Sequence, residues 1–144
     1  MADRNVIQDF LINQSSATTV LKKNLDAQAA RQRAHAQNIA NAETPGYRRV
    51  AVDFESELKE VLDQESSGAL RTTNPRHLRS GASSLEEIQP KFRTEPLPED
   101  GNGVNGVDMD QEMAEMAETQ LRYLASLELL KRRYTGLKSA IRGQ

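Results

Sequence analysis

Two long heptad patterns, one at each end of the chain, constrain this 144-residue sequence more than any other feature. Near the start, alternating steps of four and three pass through Ile7, Leu11, Gln14, Thr18, Leu21, Leu25, Gln28, Gln32, His35 and Ile39. Near the end, the same steps pass through Met109, Met113, Met116, Gln120, Tyr123, Leu127, Leu130, Tyr134, Leu137 and Ile141. Each pattern spans about 33 residues, which at the helical rise is a rod roughly 50 Å long. Helices of that length belong to coiled coils and extended assemblies more than to small globular cores.

The second pattern carries its own end signals. Asp108 with Gln111 three residues later forms a capping-box arrangement, and Asp110 and Glu112 place negative charge at the positive end of the helix dipole. Lys131, Arg132, Arg133, Lys138 and Arg142 load the other end with positive charge. Glu118 to Arg122 and Glu128 to Arg132 are i,i+4 pairs in the favoured orientation, and Gly143 supplies a stop. The first pattern is poorer: Gln14, Thr18, Gln28, Gln32 and His35 occupy half of its positions, so it suits the second helix better than a copy of itself. An antiparallel pairing with Leu21 opposite Leu127 and Gln28 opposite Gln120 matches polar with polar.

Between the helices the signals are turns. Asn41 suits a left-handed C-cap, Thr44 is pushed away from helix by the following proline, and Pro45-Gly46 fits the centre of a type II turn. YRRVAVDF alternates, with Val50, Val52 and Phe54 on one face and Arg49, Ala51 and Asp53 on the other, as a short strand does. ESELKEVLDQ reads as a short helix using Phe54, Leu58, Val61 and Leu62, ended by Ser66, Ser67 and Gly68. Residues 69–73 can form another strand, and 80–106 have the composition of a flexible linker. The expected architecture is mainly α: terminal helices paired as an antiparallel coiled coil, a small β- and turn-rich middle, and a linker. Its segments are 1–41, 42–79, 80–106 and 107–144.

Composition narrows the function classes. Aromatics make up 4% and the hydrophobic set 37%, which is thin for an independent core and points to burial shared with other chains. With no Cys there is no disulfide framework, thiolate site or thiol nucleophile. A net charge of -2 offers no footprint for nucleic acid. No apolar run is long enough to span a membrane, and the first residues lack the pattern of a cleaved secretory signal. His35 and His77 have no sequence neighbours at metal-ligand spacing, and His35 reads as a packing residue. The glycines of EDGNGVNG lack a P-loop lysine, and the following acidic residues miss calcium-loop spacing. No enzyme constellation, cofactor site or metal site is expected.

The run NIANAETPGYR at 38–48 is the most distinctive stretch. It resembles the N-terminal signature of the bacterial flagellar axial proteins, in which a long helix ends in an NxAN, TPGY-type turn; here the matching residues are Asn38, Ile39, Ala40, Asn41, Thr44, Pro45, Gly46 and Tyr47. The short length, the segment RTTNPRHL and the C-terminal heptads are similar to those of the basal-body rod proteins. The resemblance implies a structural subunit of the proximal rod of the bacterial flagellum, exported through the type III apparatus without a cleaved signal and polymerised in the periplasm as part of the drive shaft needed for motility. It implies contact with FlgC-like rod subunits, the adaptor FliE and the export gate, and self-association in a helical assembly. Packing and assembly would fall to Leu11, Leu21, Leu25, Ile39, Met113, Met116, Tyr123, Leu127, Leu130, Tyr134, Leu137 and Ile141. The heptads alone also admit a cytosolic coiled-coil adaptor or export chaperone.

Overall fold

The computed structural model describes residues 16–66, 84–97 and 106–143. Among them the chain forms α1 (Ser16–Ala40), β1 (Val50–Asp53), α2 (Glu55–Ser66), β2 (Lys91–Thr94) and α3 (Met109–Arg142). The chain is mainly helical, with long helices toward both ends and one small sheet.

The sequence signals for α3 are realised at both ends. Asp108 has extended backbone angles, and its Oδ1 accepts from the N–H groups of Asp110 (2.9 Å) and Gln111 (3.2 Å). The reciprocal half of the capping box is not made, because Gln111 Nε2 donates to Glu115 Oε1 instead (2.7 Å). Gly143 closes the helix at φ +72°, its N–H bonded to Ser139 O. The exposed pairs Glu118–Arg122 and Glu128–Arg132 form at 2.6 and 3.1 Å.

At the end of α1 the sequence expectation is half right. Tyr47 N–H bonds Thr44 O at 3.1 Å and Gly46 sits at φ +72°, as a type II turn centred on Pro45-Gly46 requires. Asn41 is not a left-handed cap: among the described residues no residue other than glycine has positive φ. The last turn instead tightens, with Asn41 N–H shared between Gln37 O and Asn38 O and Ala42 N–H on Ile39 O. Asn41 Nδ2 also donates to Gln37 O at 2.8 Å. These bonds satisfy the terminal carbonyls without a reversal of backbone hand.

β1 is shorter than the alternation implies and pairs antiparallel with β2, Val50 opposite Thr94 and Asp53 opposite Lys91. β2 lies inside the stretch whose composition reads as linker. Leu85 and Ile88, from the same stretch, join Ala27, Phe54 and Val61 in the buried cluster, with Val20 and Leu58 against it. Residues 84–97 therefore contribute a strand and two core side chains, because a few apolar residues in a polar stretch suffice once α1 and α2 supply a surface. Leu62 stays 39% exposed, so α2 buries a narrower stripe than expected. The possible strand at 69–73 lies outside the described residues. On α1, Ala27, Ala30 and Ala34 are buried, and their short side chains let other elements approach the helix closely.

α1 and α3 lie side by side in opposite senses. Arg133 Nε reaches Thr18 Oγ1 (2.7 Å), Asn24 Nδ2 reaches Ser126 Oγ (2.8 Å), and Asn38 Nδ2 reaches Glu112 Oε2 (3.2 Å). The buried residues on the face that α3 turns toward α1 are polar, Glu112, Thr119 and Ser126, with Met116, Tyr123, Leu130 and Leu137 half-buried on the same face. Met113, Leu127 and Ile141 are 49%, 43% and 64% exposed, and Gln120 is exposed too. Leu127 and Gln120, which the heptads set opposite Leu21 and Gln28, are therefore not among the buried residues of α3, and the cross-helix hydrogen bonds fall on Glu112, Thr119, Ser126 and Arg133. The seam is displaced by one residue on α3, because α1 offers polar partners that Glu112, Thr119 and Ser126 satisfy and leucines cannot.

Candidate functional site

The most highly organised site is where the end of α1, the turn after it and the first turns of α3 converge. Asn38, fully buried, stands at its centre. Its Oδ1 accepts from Val50 N–H at 2.9 Å and its Nδ2 donates to Val50 O at 2.9 Å, so the carboxamide pairs with β1 as a neighbouring strand would. The same Oδ1 accepts from the Tyr47 hydroxyl at 3.1 Å. One side chain thereby fixes the exit of α1, the turn and the start of β1.

Asn38 also links this turn to Glu112, whose side chain is 1% exposed. Glu112 Oε2 receives Asn38 Nδ2 at 3.2 Å and lies 2.7 Å from His35 Nδ1; Glu112 Oε1 receives Arg49 Nε at 2.5 Å. Arg49 spreads its remaining donors over Glu115 Oε2 (2.5 Å) and Glu95 Oε2 (3.3 Å). Thr119 Oγ1 lies 3.4 Å from His35 Nε2. Burial alone would raise the Glu112 carboxyl, but hydrogen bonds from His35, Arg49 and Asn38, with the Arg49 charge, outweigh it and hold it below its ordinary range. For Arg49, desolvation opposes the charge and the bonds to Glu112, with the charges of Glu112 and Glu115, more than restore it, leaving its pKa raised. Burial raises the Tyr47 hydroxyl, against the opposing pull of a hydrogen bond with Gln37 and with help from Glu112.

His35, Glu112 and Glu115 bring ligand atoms within 4.8 Å of one another, a donor set with which a metal centre can be built. Arg49 already supplies the cation there, bonded to both carboxylates. The arrangement is a half-buried ion-pair network around the buried Glu112 carboxylate, and it joins the end of α1, the residue before β1 and the first turns of α3.

The turn residues singled out by sequence fall into two groups. Asn38 and Tyr47 enter the network, Ile39 is half-buried, and Ala40, Thr44, Pro45 and Gly46 are exposed and shape the turn. Asn41 is half-buried and braces the helix end. Of the packing residues, Leu21, Leu25, Met116, Tyr123, Leu130, Tyr134 and Leu137 are half-buried, Met113, Leu127 and Ile141 are exposed, and Leu11 lies outside the described residues. A groove of about 390 Å³ runs along α3, lined by Leu127, Leu130, Tyr134 and Thr135 with Lys131 and Lys138. Sequence reasoning missed Glu112 and Arg49 as site residues. Glu112 read as a dipole-facing acid and Arg49 as the solvent side of a strand; the available signal was a polar column at Glu112, Thr119 and Ser126 matching the polar positions of α1.

No protein-family model matches the chain. Among curated proteins, it is 37% identical over 124 residues to the flagellar basal body rod protein FlgB of Salmonella typhimurium, covering 83% of this chain and 88% of that protein. The protein of the same name from Escherichia coli is 37% identical over 122 residues, covering 81% and 86%. That from Cereibacter sphaeroides is 42% identical over 108 residues, covering 74% and 79%.

Proposed function

The chain belongs to the FlgB family of flagellar basal body rod proteins, and from that membership we propose how its geometry serves a rod. It is a structural subunit of the proximal rod and not an enzyme; the relatives give no support to a cytosolic adaptor or export chaperone. The identity to rod proteins over most of both chains carries this reading. The terminal helices act as an antiparallel coiled coil, a role that the opposed contacts of α1 and α3 support. The residues between them form the module that reaches neighbouring subunits. Met113, Leu127 and Ile141, outward in the single chain, are covered in the rod together with Met116, Tyr123, Leu130, Tyr134 and Leu137.

The turn has a mechanical role in this reading. A helical lattice needs every subunit to project its middle segment at the same angle. Asn38, Asn41, Thr44, Pro45, Gly46 and Tyr47 set that angle at the end of α1, and the Glu112 network ties it to α3. The neighbours are FlgC-like rod subunits, the adaptor FliE, the export gate and further copies of this chain. The protein reaches the periplasmic rod through the flagellar export apparatus without a cleaved signal. None of the described helices is long and apolar enough to cross a membrane.

Immunoblotting of purified hook–basal bodies tests the assignment. The protein should copurify with them, and deletion of its gene should abolish swimming until the chain is restored. Recovery only in the soluble fraction, with swimming intact in the deletion, would reject it.

A further inference from the structure

α3 carries two overlapping seams. Met116, Tyr123, Leu130 and Leu137 are half-buried and belong to both. Adding the positions three residues on gives Thr119, Ser126 and Arg133, the polar seam that faces α1. Adding those four residues on gives Gln120, Leu127, Tyr134 and Ile141, the seam with the larger apolar content. At 100° per residue the centres of the two seams lie about 50° apart around the helix. A modest rotation of α3 about its own axis therefore exchanges one for the other without sliding the helices along each other.

Two observations show that the polar seam is chosen against competition. Met113 and Leu127 are 49% and 43% exposed although α1 lies one seam away, so apolar area goes unburied. Gln28 Oε1 is buried without a hydrogen-bond donor, an uncompensated cost in this register. In the rotated register, Gln120 moves toward Gln28 and its amide can supply that donor. The bonds of Asn24 with Ser126 and of Arg133 with Thr18 oppose rotation, and Glu112 opposes it most: turning it away from α1 would strip its buried carboxylate from His35 and Asn38 and pull it from Arg49.

We propose that Glu112, held by His35, Asn38 and Arg49, is a rotational pin that selects the polar register of α3 and keeps the apolar positions Met113 and Leu127 turned outward. The pin trades hydrophobic burial within one chain for a face left open. The use of that face by another subunit rests on the rod reading above; the pin itself does not.

The test exploits a chain with no native Cys. Asn24→Cys with Ser126→Cys reports the polar register, since these side chains touch in the structure. Leu21→Cys with Leu127→Cys reports the rotated one. In the full-length purified chain, the first pair should oxidise at least about tenfold faster than the second, as disulfide geometry demands. Adding Glu112→Ala to each pair should reverse that order, and far-UV circular dichroism should show the helices retained. The conservative Glu112→Gln, which keeps the shape and loses the charge, should move the ratio in the same direction by less. An unchanged ratio in Glu112→Ala with helices retained would overturn the pin. Loss of helicity in both variants would overturn it too, because a device that only chooses between seams leaves a helical pair when removed. Retention of the polar-register pattern in a chain that never enters basal bodies would reject the rod reading and leave the pin standing.

Discussion

Replacing Asn38 with Ala removes four hydrogen bonds with one cut: two to the Val50 main chain, one from Tyr47 and one to Glu112. The magnitude follows from what is stranded. Asn38 is fully buried, so the cavity left behind is shielded from bulk water, while half-buried Val50 can recover part of its loss to solvent. Glu112 keeps His35 and Arg49 but loses one of its three donors. Stranded buried groups at about 1–3 kcal/mol each, discounted for solvent at Val50, give a loss of roughly 3–5 kcal/mol. That is a large fraction of the roughly 5–15 kcal/mol that holds a small domain together. Urea unfolding followed by circular dichroism measures it, and hydrogen exchange at the Val50 amide reads the same bond locally. Asn41→Ala is the control, since its side chain makes a bond to Gln37 O at the surface and should cost about 1 kcal/mol or less. Asn38→Asp keeps the acceptor for Val50 and Tyr47 but places a second carboxylate against Glu112, so it should be no better than Ala at neutral pH. A loss below about 1 kcal/mol for Asn38→Ala, or unchanged protection of the Val50 amide, would refute the assignment of Asn38 as the joint of the site.

Three further outcomes follow from the same contacts. Glu112 has a lowered pKa in the folded chain, so its stabilisation is full above the ordinary value of 4.5 and is lost as pH falls through the folded value. The unfolding midpoint should drop below about pH 4.5, and Glu112→Gln should flatten that part of the profile; Glu55, lowered but on an exposed carboxylate, should add little. Gly46→Val meets no steric neighbour, so its cost is the positive φ alone, about 1–2 kcal/mol and more for a β-branched side chain. Swimming assays should show impaired motility in that variant, and Pro45→Ala, which leaves φ accessible, should impair it less. Ala27→Leu pushes a larger side chain into Phe54 and Ile88 and should cost about 1–3 kcal/mol in urea unfolding, whereas Leu121→Ala, at an exposed position of α3, should cost little in the isolated chain.

The helices, the turn and the short strand were legible because each is written in local rules. Asp108 and Gly143 bound α3 through their own side-chain and backbone chemistry, and Pro45-Gly46 determines its turn within four residues. The partner of β1 was not legible. KFRT sits among prolines, glycines and charges, all four of its residues are exposed, and what brings it to β1 is the burial of Leu85 and Ile88 a few residues earlier, in a cluster drawn from distant parts of the chain. The site divided in the same way. Asn38 and Tyr47 stand out in a contiguous motif, whereas Glu112 and Arg49 lie 63 residues apart and each has an ordinary explanation alone.

The choice of seam on α3 gives the heptads a meaning that periodicity does not contain. A 4-3 pattern of apolar residues says that a helix has a face to bury, and the nearest partner in the same chain is the economical assumption. Here the nearest partner takes the polar column, because α1 presents Asn24, His35 and Asn38, whose hydrogen-bonding demands only Ser126, Thr119 and Glu112 can meet. Buried polar contacts are directional, so they fix the rotation of a helix in a way that interchangeable apolar contacts cannot. The unspent apolar positions of α3 then become available outside the chain. On the rod reading proposed above this order matters, because a helix that turned Met113 and Leu127 inward would offer the next copy less apolar surface. A chain thin in hydrophobic residues can thus keep a small internal core around Phe54 and Ile88, join α1 to α3 through directional polar contacts, and still hold apolar positions of α3 outward.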